Sequence, residues 1–387
     1  MSNRLVFANQ LRGVAAASVA FGHLAGVYWL IRPVVSAATL TPPLEGANPG
    51  VVALNLHPWF NFGAFGVALF FLISGLVIPI SLQKHTRGSF LLARLLRIYP
   101  TYVAALLIEM AVLRANAQYW GIPFPYGAWT ILSNCLLIQD FVRQPYLDLV
   151  SWTLCVELRF YLAVALIAAA VRRGSVAALI ATALGALALN VVVGTGVLGP
   201  HAPDPALPTY AFSTESLFIA FMLIGVLFNY HLRGLLGAAG LLLWTAVLGG
   251  LFVLCWRESV LAGQLPGVAL NYACALALFA ALYAARRWVP RNPVLDALAA
   301  ISFPLYLVHS LVGYSVLKLL MIAGGWGYPA ALAVAVPAVV LLAAGLHVLV
   351  EAPTTRLGQA LVPRARRRLP AVALTQTSRD PVPQDHR

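Results

Sequence analysis

Two ionisable residues, Arg12 and His23, lie inside the first apolar segment of this chain. Residues 11–30 are otherwise apolar enough to cross a bilayer, where an unpartnered charge is costly. Eleven residues make about three helical turns, so the two side chains project from nearly the same helix face, about 16 Å apart along the axis. One face therefore offers a fixed cation near one membrane surface and a titratable imidazole near mid-membrane, which indicates a functional site rather than a simple anchor.

A second candidate site lies where the chain enters its third apolar segment. Arg94 and Arg97 are three residues apart and therefore neighbours on one helix face. Paired guanidinium groups fit phosphate oxygens, so this pair is a candidate phosphate clamp. The pair would also serve as a topology marker that binds lipid headgroups, and the spacing alone leaves both interpretations open.

Five further polar residues occur in or at the edge of apolar segments, where each is either a helix-packing residue or a site candidate: Ser74, Glu157, Tyr161, Tyr306 and His309. Glu157 and Tyr161 share a helix face at a spacing of four, which places a carboxylate beside an aromatic hydroxyl. Pro304 precedes the last two and is expected to bend its helix and free backbone carbonyls. A lone histidine in a membrane helix is commonly an interhelical hydrogen-bonding residue.

The composition predicts an all-α polytopic membrane protein. The 387 residues are 61% hydrophobic and 10% charged, whereas soluble domains carry about 25% charged residues. The net charge of +13 is not evidence for a nucleic-acid partner, because the cations concentrate in short connections on one side of the predicted bundle. The four cysteines form no close pair and the histidines form no His-Glu-x-x-His motif, so we expect neither a disulfide framework nor a metal site.

Hydropathy predicts about ten transmembrane helices, at residues 10–31, 62–81, 98–114, 156–171, 176–197, 211–229, 235–255, 267–285, 294–322 and 328–350. Residues 129–141 are apolar but short, which favours an interfacial or re-entrant segment. With both termini in the cytoplasm, only four basic residues fall in the outer loops: Arg32, Arg114, Arg143 and Arg257. This bias predicts that both termini are cytoplasmic. We expect the membrane to be a bacterial inner membrane. We expect a transmembrane domain over residues 1–363 and a disordered basic tail over 364–387.

Taken together, the polar motifs resemble those of the acyltransferase-3 family of integral membrane O-acyltransferases. The motifs that carry the resemblance are Leu11-Arg12-Gly13 with His23 beyond it, Phe70-Phe71-x-x-Ser74-Gly75, Arg94-x-x-Arg97-x-x-Pro100-x-Tyr102, Ser151-Trp152-Thr153-x-x-x-Glu157-x-x-Phe160-Tyr161, and Tyr306-x-x-His309. Each motif is weak alone, but the five occur in order along about residues 7–353.

The resemblance implies ten or more helices and acyl transfer from a cytoplasmic donor, usually acetyl-CoA, to a hydroxyl of an outer acceptor, usually a glycan. It implies functional roles for Arg12, His23, Arg94 and Arg97. On this basis we expect three sets of site residues: donor-binding Arg12, Arg94, Arg97 and Ser74; catalytic His23 and Glu157; and acceptor-binding Trp152, Tyr161, Tyr306 and His309. His23 would accept the acceptor's proton as a general base, with Glu157 orienting His23 or the acceptor. An acyl-histidine intermediate is an alternative.

The expected partners are acyl-CoA, a hydroxyl-bearing acceptor and membrane lipids, with no metal cofactor. A surface glycan is the first choice of acceptor, and a glycolipid or a small secreted metabolite is the alternative. A transporter or flippase for a lipid-linked sugar would also need polar residues at mid-depth, but no inverted repeat is evident. A prenyl-diphosphate enzyme would need clustered magnesium-binding aspartates, and the 12 acidic residues form no such cluster within a predicted span.

Overall fold

The computed structural model of the protein describes residues 5–50, 52, 60–194 and 208–362. The predicted disordered tail, residues 364–387, and the end of the predicted span 176–197 lie outside these ranges. Every regular element in the described part of the chain is helical. The first seven helices are α1 (Val6–Leu30), α2 (Arg32–Thr39), α3 (Phe62–Leu82), α4 (Arg87–Trp120), α5 (Ala128–Cys135), α6 (Trp152–Leu166) and α7 (Ala168–Arg173).

From residue 176 onward, the described part of the chain contains eight more helices and a 3₁₀ turn at Ala262–Gln264. The helices are α8 (Val176–Gly194), α9 (Pro208–Leu232), α10 (Ala238–Arg257), α11 (Leu265–Ala284), α12 (Pro293–Ala300), α13 (Ser302–Val308), α14 (Leu311–Ala323) and α15 (Tyr328–Leu361). Three of the long helices contain a π-helical turn: α1 at His23–Val27, α14 at Leu319–Ala323 and α15 at His347–Glu351.

This architecture confirms the predicted all-helical polytopic fold. Within the described residues, eight helices are long and apolar enough to cross a membrane, and a ninth span exists if the pair α13–α14, bent by 51°, counts as one. The count of ten and the cytoplasmic position of both termini stay predictions. The apolar stretch 129–141 contains only the short helix α5, as its length predicted.

Two predicted spans are broken in the structure. The span 156–171 is divided into α6 and α7 at Ile167, whose backbone leaves the helical region. The span 294–322 is divided into α12, α13 and α14, with breaks at Ile301 and at residues 309–310. Pro304 has no N–H to donate to the carbonyl four residues before it, so the first break is a direct consequence of this proline. The 51° bend falls after α13, five residues beyond Pro304.

Side-chain caps fix where two helices begin. The Asn61 side chain accepts a hydrogen bond from the Ala64 N–H at 3.0 Å, at the start of α3. Thr86 accepts from the Ser89 N–H at 3.3 Å, at the start of α4. Such caps satisfy backbone donors that have no partner inside the helix. The Asn61 N–H also donates to Asn271 Oδ1 at 2.6 Å, which ties the start of α3 to α11.

The helices α1, α3 and α9 form the centre of the bundle. In its membrane-spanning stretch, α9 has 83% of its residues buried, whereas α8, α10 and α15 each have 22%. Glycines bring the central helices into backbone contact: a Cβ at Gly66 would lie 2.7 Å from the Ala15 carbonyl oxygen, and one at Gly75 would collide with the Met222 carbonyl. Small residues at a helix crossing allow this approach in a membrane.

Gly75 and Gly250 provide a matched test of this packing. Gly75→Ala adds a methyl group against the α9 backbone, and overpacking of this kind costs about 1–3 kcal/mol. Gly250→Ala adds one where nothing lies within 4 Å, and there alanine stabilises a helix by about 0.5–1 kcal/mol. We expect thermal unfolding in detergent to shift down for Gly75→Ala and not for Gly250→Ala. Equal melting curves for the two variants would contradict the close α3–α9 contact.

Candidate functional site

Two adjoining cavities lie between the central helices. The first, here called the arginine cavity, has a volume of about 120 Å³ and is lined by Arg12, Arg94 and Arg97. The second, here called the histidine cavity, has a volume of about 760 Å³ and is lined by His23. Val67 of α3 and Tyr306 of α13 line both cavities. These two side chains therefore form part of the wall between them.

The arginine cavity brings together the two arginine motifs of the sequence. Arg12 reaches it from α1 and donates from Nη2 to Ser302 Oγ at 3.0 Å. Arg94 and Arg97 reach it from α4, on one face as their spacing predicted. The Arg94 side chain is buried and its guanidinium lies 5.5 Å from the centre of the Tyr161 ring. Three cations thus converge on a small cavity inside the bundle.

Glu157 is the carboxylate that lines this cavity. It accepts hydrogen bonds from the Tyr161 hydroxyl and, at 3.5 Å, from Ser74 Oγ. Because three guanidinium groups outnumber one carboxylate here, the cavity attracts anions. The three predicted residues Ser74, Glu157 and Tyr161 therefore lie with the arginines. Of the two roles expected for Glu157, orienting His23 or orienting the acceptor, the first has no hydrogen bond to support it among the described residues.

His23 lines the histidine cavity at the point where α1 changes from an α-helical to a π-helical turn. Such π turns occur frequently at functional sites. Its neighbour across the α1–α3 contact is Gly63, which also lines the cavity. The His23 ring meets the His309 ring edge to face, with centroids 4.8 Å apart, and lies parallel to the Tyr314 ring at 6.3 Å.

The other three predicted acceptor residues take different positions. Trp152 lines the histidine cavity. The Tyr306 hydroxyl is hydrogen bonded to the Thr153 hydroxyl at 2.8 Å and donates to the Val150 carbonyl at 3.3 Å. His309 is fully buried and lines neither the arginine cavity nor the histidine cavity. His309 therefore lies behind His23 rather than at the cavity surface.

The sequence did not predict an ion-pair network that lies at the histidine cavity. Arg159 pairs with Asp140 at 3.7 Å and with Glu215. The ligand atoms of these two carboxylates and of Cys155 lie within 4.8 Å of one another, as in a metal site. Arg159, however, already supplies the positive charge between the carboxylates, so the set is an ion-pair network. Its members come from α6, α9 and the loop before α6, and no spacing in the sequence links them.

The loop between α5 and α6 supplies much of the histidine cavity. Its contribution runs from Gln139 and Asp140 to Leu149 and Val150. Aromatic side chains from other helices complete the apolar part of the lining: Phe218, Trp256 and Tyr272. A cavity of this size with a mainly apolar lining and a few polar groups is typical of a small-molecule site.

The fold and the two cavities define an integral membrane protein with a polar site inside its helix bundle. The sequence model of the acyltransferase-3 family, described as an acyltransferase domain, matches residues 5–348. The chain therefore belongs to this family and is a multi-pass membrane acyltransferase. It is also similar to Nodulation protein 10 of Rhizobium leguminosarum bv. viciae, with 29% identity over 334 residues, which cover 78% of this chain and 85% of that protein. No solved structure matches the chain.

Thiol labelling tests whether His23 faces an open cavity. In a variant without the four native cysteines, we expect His23→Cys to react with a membrane-impermeant thiol reagent, because position 23 lines the histidine cavity. The matched control is Leu24→Cys, on the same helix but 3% exposed and packed in the core. We expect the control not to react. Equal reactivity at the two positions would contradict the cavity, and the side from which position 23 reacts establishes the membrane orientation.

Proposed function

We propose that this acyltransferase moves an acyl group, with acetyl as the first choice, from cytoplasmic acyl-CoA to a hydroxyl of an acceptor on the outer side of a bacterial inner membrane. The acceptor we propose is a cell-surface glycan. The observation that carries the proposal is the wall shared by the two cavities: a cationic cavity and a histidine-lined cavity meet at Val67 and Tyr306.

The charge of the arginine cavity supports a donor that carries phosphates. Arg94 is 6% exposed and stacks on an aromatic ring, so its guanidinium is held in place before a ligand arrives. Guanidinium groups bind phosphate oxygens through two parallel hydrogen bonds, and these bonds gain strength in a site with little water. In this proposal Arg12, Arg94 and Arg97 hold the donor while Ser74 and Glu157 line its path.

The lining of the histidine cavity supports a sugar as the acceptor. Trp152 is partly exposed and lines this cavity, and its indole ring offers a flat apolar surface to the C–H face of a sugar ring. Polar side chains such as Asp140 and Gln144 line the same cavity and offer partners for hydroxyl groups. The volume of about 760 Å³ lies in the range of about 300–1,000 Å³ typical of ligand sites.

The proposed reaction needs one base between the two substrates. The unprotonated nitrogen of His23 takes the proton of the acceptor hydroxyl while the hydroxyl oxygen attacks the thioester carbonyl carbon. The C–S bond then breaks, and the CoA thiolate takes the proton from the His23 imidazolium. The products are the acyl ester and free CoA, and His23 returns to its starting state.

Replacing His23 tests the base. We expect His23→Ala to lower acyl transfer by about 10²–10⁴-fold, the usual contribution of a general base, while acyl-CoA still binds. The assay is incorporation of label from radiolabelled acetyl-CoA by membranes. The control is His231→Ala, because His231 contacts the Leu236 carbonyl and the Tyr283 ring, and neither His231 nor Tyr283 lines the arginine cavity or the histidine cavity. Wild-type turnover in His23→Ala at normal expression would rule out the base role.

Replacing Arg94 tests the donor site. A hydrogen bond to a charged group contributes about 1.5–3 kcal/mol, so we expect Arg94→Gln to weaken CoA binding by about 10–100-fold. The control is Arg233→Gln, because Arg233 donates to the carbonyls of Val171 and Arg172 away from the cavity. CoA binding is measured by calorimetry on the purified protein. Equal CoA affinity in wild type and Arg94→Gln would reject the clamp and leave the lipid-headgroup interpretation.

The acceptor is identified by mass spectrometry of surface glycans and lipids from cells with and without the gene. Loss of an acetyl increment from a glycan in cells without the gene would support the proposal. Loss of the acetyl increment from a glycolipid or a secreted metabolite would identify a different acceptor but would still support the proposed acyl transfer. Transport of a lipid-linked sugar without acyl incorporation would contradict the proposed reaction.

A further inference from the structure

His23 and His309 come from different parts of the bundle and meet inside it. His23 lies on α1, and His309 lies at the bend between α13 and α14. Their rings are in edge-to-face contact, with centroids 4.8 Å apart and an angle of 66° between the planes. Because His309 is completely buried, it can act on neighbouring side chains but does not contact a ligand directly.

The surroundings of His309 fix its tautomer. Its Nδ1 lies 3.0 Å from the Leu305 carbonyl oxygen and 2.8 Å from the Tyr306 carbonyl oxygen. Carbonyl oxygens only accept hydrogen bonds, so Nδ1–H is the donor and the proton resides there. The opposite nitrogen, Nε2, is then an unprotonated acceptor. It is buried and, within the described residues, has no hydrogen-bond partner.

His23 also has a buried ring nitrogen that needs a hydrogen-bond partner. Its Nδ1 is also buried and finds no partner in the part of the chain that the structure describes. Its ring nevertheless lines the histidine cavity, so the ring has a buried edge and a cavity edge. Two buried ring nitrogens in neighbouring rings thus lack partners, and one of them can only accept. Buried polar groups in native structures are nearly always hydrogen bonded.

In the structure the two rings are in edge-to-face contact and these two nitrogens are not hydrogen bonded to each other. We propose that the rings turn toward each other, and that His309 is a positioning residue whose Nε2 then accepts a hydrogen bond from His23 Nδ1–H. This bond leaves the Nε2 of His23 unprotonated and directs it to the histidine cavity. The inference rests on the proposed function only for its consequence in catalysis. When His23 Nε2 takes the acceptor proton, the same bond from Nδ1–H to His309 holds the imidazolium, until the proton passes to the CoA thiolate.

A neutral imidazole suits this position better than a carboxylate would. A buried carboxylate needs several hydrogen bonds or a counterion, since desolvation of a charge is costly. Glu157, the carboxylate of the neighbouring cavity, instead accepts hydrogen bonds from Tyr161 and Ser74. His309 satisfies its own donor within one helical turn and offers a single lone pair, which is all that orienting His23 requires.

The direct test is nitrogen NMR of the full-length protein labelled with ¹⁵N-histidine, in nanodiscs. The His23 resonances are assigned by their loss in His23→Gln. We expect a protonated Nδ1 and an unprotonated Nε2 for His23 in the wild-type protein. A wild-type His23 protonated on Nε2 would overturn the proposal. This measurement depends neither on the activity of the enzyme nor on a substitution at position 309.

Two variants of His309 extend the test. In His309→Leu the acceptor is lost, so we expect His23 to move toward the Nε2-protonated tautomer and kcat to fall by about 100-fold or more, as in other enzymes whose catalytic histidine takes the wrong tautomer. The KM for acyl-CoA should stay within about twofold of wild type, because His309 lines neither the arginine cavity nor the histidine cavity. In His309→Gln the amide oxygen replaces the Nε2 acceptor, so we expect the tautomer and most of kcat to be retained.

The matched control is His231→Leu, which removes another histidine with an Nδ1–carbonyl contact and should change neither the His23 resonances nor kcat. An unchanged His23 tautomer in His309→Leu would overturn the proposal. Equal losses of kcat in His309→Leu and His309→Gln would do the same. If the wild-type protein transfers no acyl group from acetyl-CoA, the proposed function fails, while the tautomer of His23 still decides the role of His309.

Discussion

The site depends on the cost of placing charged groups inside an apolar bundle. A guanidinium at membrane depth is tolerated only where it faces protein partners or a water-filled cavity. Arg12, Arg94 and Arg97 all face the arginine cavity, and Glu157 is the carboxylate that lines it with them. Because the cations exceed the carboxylate, the site retains positive charge that a bound anion would neutralise. A bundle built only for stability would have paired these charges or replaced them with apolar residues.

Close contact between α1 and α3 determines which side chains reach the cavities. Gly22 lies against the Gly63 backbone, and Gly66 lies against the Ala15 carbonyl. Each residue of a helix rotates the side-chain direction by about 100°, so a slip of one residue would turn His23 away from its cavity. Backbone contact through glycines leaves little room for such a slip. The interface that stabilises the bundle therefore also aligns the site.

Parts of this arrangement could be predicted from the sequence because they depend on local spacing. The apolar segments predicted helices, and the spacing of three between Arg94 and Arg97 predicted a shared face that both present to one cavity. The breaks at Ile167 and at residues 309–310 were not predictable, because hydropathy does not report where a helix bends. Pro304 indicated a distortion but not the position of the 51° bend.

Contacts between segments that are distant along the chain could not be predicted from the sequence. The pairing of Arg159 with Glu215 joins residues 56 positions apart, and no periodicity connects them. The sequence left two roles open for Glu157, to orient His23 or to orient the acceptor, because spacing within one segment does not show which residues of other segments lie beside it. The structure places Glu157 with the arginines and His309 next to His23. Only the packing of α13 against α1 decides between these partners.

The wall between the cavities affects how the proposed reaction would avoid hydrolysis of the donor thioester by water. Tyr306 is held by hydrogen bonds to the Thr153 hydroxyl and the Val150 carbonyl, and its ring packs on Phe70 at 5.8 Å. Two such hydrogen bonds together contribute about 1–3 kcal/mol. A turnover of about 1–10³ s⁻¹ corresponds to a barrier of about 13–17 kcal/mol. Moving Tyr306 would therefore cost little beside the chemical step. In the proposed reaction, the wall would separate the donor thioester from the water of the histidine cavity between turnovers without limiting the transfer itself.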